Sequence, residues 1–66
     1  MGFESKVLDI VDSVIPVVVY SRFFNGTLFV ECTAREATKL ESAFIEALPC
    51  GVIVSSIEGE FAFDFV

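Results

Sequence analysis

Two stretches of the chain carry apolar residues at the three- and four-residue spacing of an amphipathic helix. The second stretch follows Thr33-Ala34-Arg35-Glu36, which has the Thr-x-x-Glu form of a capping box at a helix start. Each stretch stops before a proline, Pro16 or Pro49, because the residue before a proline disfavours helical geometry. The expected buried stripes are Phe3, Val7, Ile10, Val11 and Val14 in the first helix, and Leu40, Ala43, Phe44, Ala47 and Leu48 in the second.

After each proline the apolar spacing changes to every second residue, and β-branched and aromatic residues become frequent. Asn25-Gly26 is a strong signal for a two-residue type I′ hairpin turn, and Glu58-Gly59 is a weaker one. A two-residue turn fixes the register of the strands that flank it. The expected partners are Phe23 with Leu28, Ser21 with Val30 and Val19 with Cys32, then Ser56 with Phe61, Val54 with Phe63 and Val52 with Phe65.

Shifting the sequence by 33 residues aligns the residues that end helices and form turns: Pro16 aligns with Pro49, and Gly26 aligns with Gly59. We therefore expect one domain over residues 1–66, built from similar αββ halves at 1–33 and 34–66. The fold class is α+β: a two-layer αββαββ arrangement with a four-stranded antiparallel sheet and both helices on one face. Acidic residues on the second strand of each hairpin suit sheet edges, which favours strand order 2-1-3-4 over the alternative 1-2-4-3.

The helices leave the opposite side of the sheet, here called the outer face, without cover. Half of its positions are apolar, whereas a solvated face would be mostly polar. A chain of this size is also marginally stable alone, and self-association is one remedy. We therefore expect a two-fold homodimer or higher oligomer through this face, with Arg22 meeting Glu31 or Asp64 of the other copy. The expected interface residues are Val18, Tyr20, Arg22, Phe24, Phe29, Glu31, Ile53 and Ile57.

The composition and net charge disfavour several classes of binding partner. Of the 66 residues 55% are hydrophobic, too many for a disordered acidic tail, and the net charge is −6. A negative surface disfavours binding of nucleic acid, although the aromatic residues Tyr20, Phe24 and Phe29 around Arg22 are of the kind that stack on bases. Nor does any apolar run approach the ~20 residues of a membrane span. We expect no nucleic-acid and no membrane partner, and a reducing cytoplasm, of a cell or of a virus-infected cell, as the location.

Catalytic chemistry has little support in the sequence. Histidine is absent, which removes the commonest general base and metal ligand. Cys32 is expected to be a core residue, while the reactivity of Cys50 stays open. Acids near the second turn, Glu58, Glu60 and Asp64, are a weak signal for a cation site. No catalytic, cofactor or metal residues are therefore assigned.

Two functions remain. The first is a non-enzymatic module that self-associates through the outer face and offers a surface to another protein. The alternative is a small-ligand-binding or regulatory domain, with an apolar pocket at a subunit interface near Tyr20, Arg22 and Ser55.

Overall fold

The structure, a computed structural model, describes residues 2–16 and 20–66. Within these ranges the chain forms two α-helices and one four-stranded antiparallel sheet, which confirms the α+β class and the αββαββ order. The 33-residue repeat itself stays a prediction. The elements are α1 (Phe3–Val14), β1 (Ser21–Phe24), β2 (Thr27–Val30), α2 (Ala34–Ala47), β3 (Val52–Ile57) and β4 (Glu60–Phe65).

The helix ends lie where the sequence predicts them. At the start of α2 the Thr33 hydroxyl accepts a hydrogen bond from the Glu36 amide at 3.2 Å, and the Glu36 carboxylate accepts one from the Thr33 amide at 2.9 Å. This reciprocal pair satisfies two amides that have no partner within the helix. At the other end each helix passes into one extended residue, Ile15 or Leu48, directly before its proline.

Both hairpins turn through residues with positive φ, as a type I′ turn requires. The φ angles are 52° and 78° at Asn25 and Gly26, and 45° and 84° at Glu58 and Gly59. The predicted registers are confirmed from Ser21 opposite Val30 to Val52 opposite Phe65. The predicted partnership of Val19 with Cys32 lies outside the described residues.

The strand order is 1-2-4-3, so the alternative is correct and the favoured order 2-1-3-4 is wrong. The central strands β2 and β4 pair antiparallel, with Leu28 opposite Phe63. Acidic residues do not force β4 to the edge because Glu60 and Asp64 point to the outer face, where water and neighbouring polar groups reach them. Inward residues decide the order instead: Leu28 and Phe63 are fully buried under the helices.

Both helices pack on the same face of the sheet, and the core lies between the layers. Phe44 of α2 stands edge-on to Phe63 and Phe65, with ring centroids 5.4 and 5.3 Å away. The predicted stripes are confirmed at their centres, but Phe3 is 44% exposed and Ala47 is also exposed. Both lie at helix ends, although the Phe3 ring still stands edge-on to Phe65, with ring centroids 5.3 Å apart. The buried residues of the two helices are Val7, Val11, Ala37, Leu40 and Phe44, joined by Ile15 and Leu48 at their ends.

Candidate interaction surface on the outer face of the sheet

The cross-strand register arranges the outer face in rows that run from edge strand β1 to edge strand β3. Each row takes one residue from each strand, because the strands pair in the order β1, β2, β4 and β3. Side chains in neighbouring positions of a row are close enough to contact one another. The two rows defined by the register are Arg22, Phe29, Ala62 and Ser55, and Phe24, Thr27, Asp64 and Ile53.

Exposed apolar side chains stand at the corners of this face. Phe24 and Ile53 end one row, on opposite edges, and are 62% and 56% exposed. Toward the other end of the sheet lie Tyr20 and Ile57, which are 58% and 47% exposed. Tyr20 extends the β1 side of the sheet, since its carbonyl accepts a hydrogen bond from the Glu31 amide at 3.0 Å. These four predicted interface residues thus reach solvent, and Val66, beyond β4, adds a further exposed apolar group.

Polar side chains in the middle of the face have partners in the same chain. Arg22 crosses over β2, with its Cζ atom 4.6 Å from the centroid of the Phe29 ring, and its Nη2 donates to Oε1 of Glu60 at 3.4 Å. The Thr27 hydroxyl donates to the Asp64 carboxylate. An exposed ion pair is worth about 0–1 kcal/mol and a cation–π contact about 0.5–1 kcal/mol, enough to orient Arg22 without holding it rigidly.

Within one chain Arg22 and Asp64 have other partners, and the expected meeting of Arg22 with Glu31 or Asp64 of another copy stays a prediction. Arg22 has Glu60 and Asp64 has Thr27, while Glu31 stays exposed. The strand alternation places Thr27 and Glu60 on the outer face, but it does not predict their contacts with Asp64 and Arg22. The contact between Arg22 and Glu60 depends on the alternative strand order, which sets β4 beside β2 and brings Glu60 within reach of Arg22.

The centre of the face combines a large side chain with a small one. Phe29 is half-buried beneath Arg22, and Ala62, opposite it on β4, is buried. The face therefore has exposed apolar side chains at its corners and paired polar side chains between them. At its centre the Phe29 ring lies beside a shallow position at Ala62. Val18, the remaining predicted interface residue, lies outside the described residues.

The residues proposed for a ligand pocket do not converge within one chain. Arg22 and Ser55 are at opposite ends of one row, three strand spacings or about 14 Å apart. A shallow depression of about 260 Å³ lies elsewhere, on the exposed side of α1, lined by Gly2, Ser5, Lys6 and Asp9. It shares no residue with the outer face.

The surroundings of Cys32 disfavour a reactive thiolate. Burial raises the pKa of the Cys32 thiol, and the nearby Glu36 carboxylate raises it further, so this thiol stays protonated at neutral pH. Cys50 is half-buried beside the core. Across residues 2–16 and 20–66 the structure has no group of three or more His, Cys, Asp or Glu side chains placed to share a metal ion.

The length of the helices and the comparison with known proteins complete the description. Among the described elements, neither helix combines the length and apolarity needed to cross a bilayer. Comparison of the chain with protein-family models, with curated proteins and with solved structures gave no match. The outer face itself is therefore the main guide to the function of the chain.

Proposed function

We propose that this chain is a non-enzymatic interaction module that pairs with a second copy of itself, outer face against outer face. The observation that carries the proposal is the set of exposed apolar corners on a face that no described element covers. Of the eight large hydrophobic residues that are exposed within 2–16 and 20–66, Tyr20, Phe24, Ile53, Ile57 and Val66 belong to this face. Such concentration on one side of a small domain is typical of a protein interface.

The rows of the face are self-complementary about a two-fold axis that runs along the strands between β2 and β4. This axis exchanges β1 with β3 and β2 with β4. It brings Phe24 of one copy onto Ile53 of the other, and the Phe29 ring onto the small Ala62. Large groups then meet small ones in the centre and apolar groups meet at the corners, which is the requirement for an isologous contact between aligned sheets.

Charge and area set the strength of this contact. Pairing of Arg22 with Glu60 and of Thr27 with Asp64 lowers the cost of covering these groups, because each keeps a partner. Two strands of four residues and two of six, at ~4.8 Å spacing and ~3.4 Å rise, give a face of about 330 Å², or ~650 Å² for two copies. That area belongs to the weak and transient class of interfaces, so we expect association in the micromolar range.

A charge exchange between facing corners tests the geometry. Phe24→Lys alone and Ile53→Glu alone should each shift the sample toward the 7.2 kDa chain mass, because each sets a charge against an apolar corner. The double variant should recover the larger species, because Lys at 24 then faces Glu at 53 of the other copy. Within one chain these two positions are about 14 Å apart, so they do not pair with each other. Sedimentation equilibrium at about 10–300 µM covers the expected range.

Ile45→Lys is the matched control, because Ile45 on α2 is as exposed as Ile53 but lies on the helical side. Its mass should equal that of the unaltered chain. If the unaltered chain stays at 7.2 kDa throughout the concentration range, the proposed pairing is wrong. If both single variants lose the larger species and the double variant does not recover it, the chain associates by a different geometry.

A further inference from the structure

The outward edge of β3 carries backbone groups that no described residue satisfies. Gly51 and Val66 exchange both backbone hydrogen bonds, each at 3.0 Å, which fixes the alternation of the β3–β4 ladder. In an antiparallel pair the residues between such bonded pairs point their amides and carbonyls the other way. Val52, Val54 and Ser56 therefore present these groups to the free edge of the sheet.

This edge lacks the usual protection. Edge strands normally carry a charge, a proline or a bulge that prevents pairing with another chain. The six residues of β3, Val-Ile-Val-Ser-Ser-Ile, contain no charge and no proline, and their pairing with β4 is regular. The other edge strand, β1, is four residues long and bears Arg22. Of the two edges, β3 is the one suited to receive a further strand.

We propose that β3 pairs antiparallel with β3 of a second copy, with Val54 opposite Val54 and Val52 opposite Ser56. This register uses all the outward amides and carbonyls, since each facing pair exchanges both of its hydrogen bonds. The two four-stranded sheets then join into one continuous sheet about a two-fold axis perpendicular to it.

Charge favours a second copy over a basic segment of another protein. A strand built to hold a basic segment would carry acids beside it, and β3 carries none. In the antiparallel register the two Glu58 carboxylates lie at opposite ends of the new pair, about 27 Å apart at ~3.4 Å per residue. Parallel pairing would set the same carboxylates side by side, which like-charge repulsion disfavours. The chain's net charge of −6 makes this separation important for self-association.

Edge pairing is independent of the face-to-face contact, because the two use different groups and different axes. The edge contact uses backbone groups at Val54, whereas the face contact uses side chains around Phe29 and Ala62. The axes do not intersect, so both contacts together do not close at two copies but extend into a ribbon. Either contact alone gives a dimer.

Amide hydrogen exchange on the unaltered chain tests the edge directly. We expect the Val54 and Ser56 amides to exchange at least about tenfold more slowly at ~1 mM than at ~20 µM, as the paired form becomes populated. The Phe23 amide points to the free edge of β1 by the same alternation and serves as the reference that stays fast. If Val54 and Ser56 exchange as fast as Phe23 at both concentrations, the edge proposal is wrong, whatever the outer face does.

A proline exchange provides the second test. Ser56→Pro removes an outward amide from an exposed position without breaking a bond to β4, and Ser21→Pro makes the same change on β1. We expect Ser56→Pro to limit the assembly to two copies and Ser21→Pro to leave its mass unchanged. Adding Phe24→Lys to Ser56→Pro should then give the single chain. If Ser56→Pro folds and assembles like the unaltered protein, the β3 contact does not exist; persistence of species larger than two copies in Phe24→Lys alone would instead count against the face contact.

Discussion

Replacing Phe44 by leucine tests the packing that holds the two layers together. Phe44 is fully buried, and its ring stands edge-on to two β4 rings, Phe63 at 5.4 Å and Phe65 at 5.3 Å between centroids. A hydrophobic exchange of similar volume costs up to ~1.5 kcal/mol. Loss of the edge-to-face pairs adds about 0.5–1.5 kcal/mol each. We therefore expect the free energy of unfolding to fall by about 2–3 kcal/mol.

A loss of this size can be measured by urea unfolding, because it is smaller than the expected stability of the chain. At ~0.05–0.15 kcal/mol per residue, a chain of this length has a total stability of about 3–10 kcal/mol. With a urea m-value of ~1 kcal/mol/M, the unfolding midpoint should fall by about 2–3 M. Circular dichroism suits the assay, because the chain has no tryptophan. Protein concentration should be low enough that the measured mass is one chain, so that association does not contribute.

Phe24→Leu is the matched control for this experiment. It makes the same chemical change at a residue 62% exposed on the outer face, where we expect a stability change within ~0.5 kcal/mol. Self-association should respond in the opposite order, with Phe24→Leu weakening it and Phe44→Leu leaving it unchanged. Equal midpoint shifts in the two variants would refute the assignment of Phe44 to the core and Phe24 to the surface.

Two further predictions concern single positions. Gly26→Ala should destabilise the chain by about 1–2 kcal/mol, because φ is 78° there and a Cβ meets no atom within 4 Å, so that the cost is one of backbone conformation alone; Gly26→Asn should lose less in the same urea assay, and equal losses would contradict the turn geometry. The raised pKa of Cys32 gives folded chains a stability contribution that is complete below the pKa of the unfolded thiol and is lost as pH rises through the folded pKa. Under reducing conditions, the free energy of unfolding should therefore fall more steeply from neutral to alkaline pH in the unaltered chain than in Cys32→Ser. Parallel curves would show that the thiol ionises equally in the folded and unfolded states.

Local features of the sequence determine most of the fold. Asn25-Gly26 and Glu58-Gly59 fix two-residue turns, and these turns fix which residues face each other within each hairpin. The capping box at Thr33 fixes the start of α2 in the same way. Each of these signals acts between residues close together in the chain, so it can be interpreted without knowledge of the rest of the molecule.

Strand order could not be derived in this way. It depends on whether β2 pairs with β4, between residues such as Leu28 and Phe63 that are far apart in sequence. The acids Glu60 and Asp64 favoured an edge position for β4, yet their side chains point to the outer face and remain hydrogen-bonded there. The face that a charge occupies, rather than its strand alone, decides whether the strand can be central.

For the outer face, as for the fold, the sequence predicts the local features but not the contacts between distant strands. Alternation along each strand identified its apolar members, including Phe24 and Ile53, because that pattern is local. The contact of Arg22 with Glu60 was missed because it spans two strands and depends on the order of the sheet.

The central place of β4 has a consequence for biosynthesis. This strand follows β3 in the chain, yet it fills the gap between β2 and β3. While a ribosome adds residues 31–60, which takes a few seconds at ~5–20 residues per second, the nascent first hairpin has no neighbour along β2. A premature stop codon anywhere before β4 removes the middle of the sheet rather than its border. Shortened translation products should therefore lack a folded subdomain and be degraded by cellular proteases.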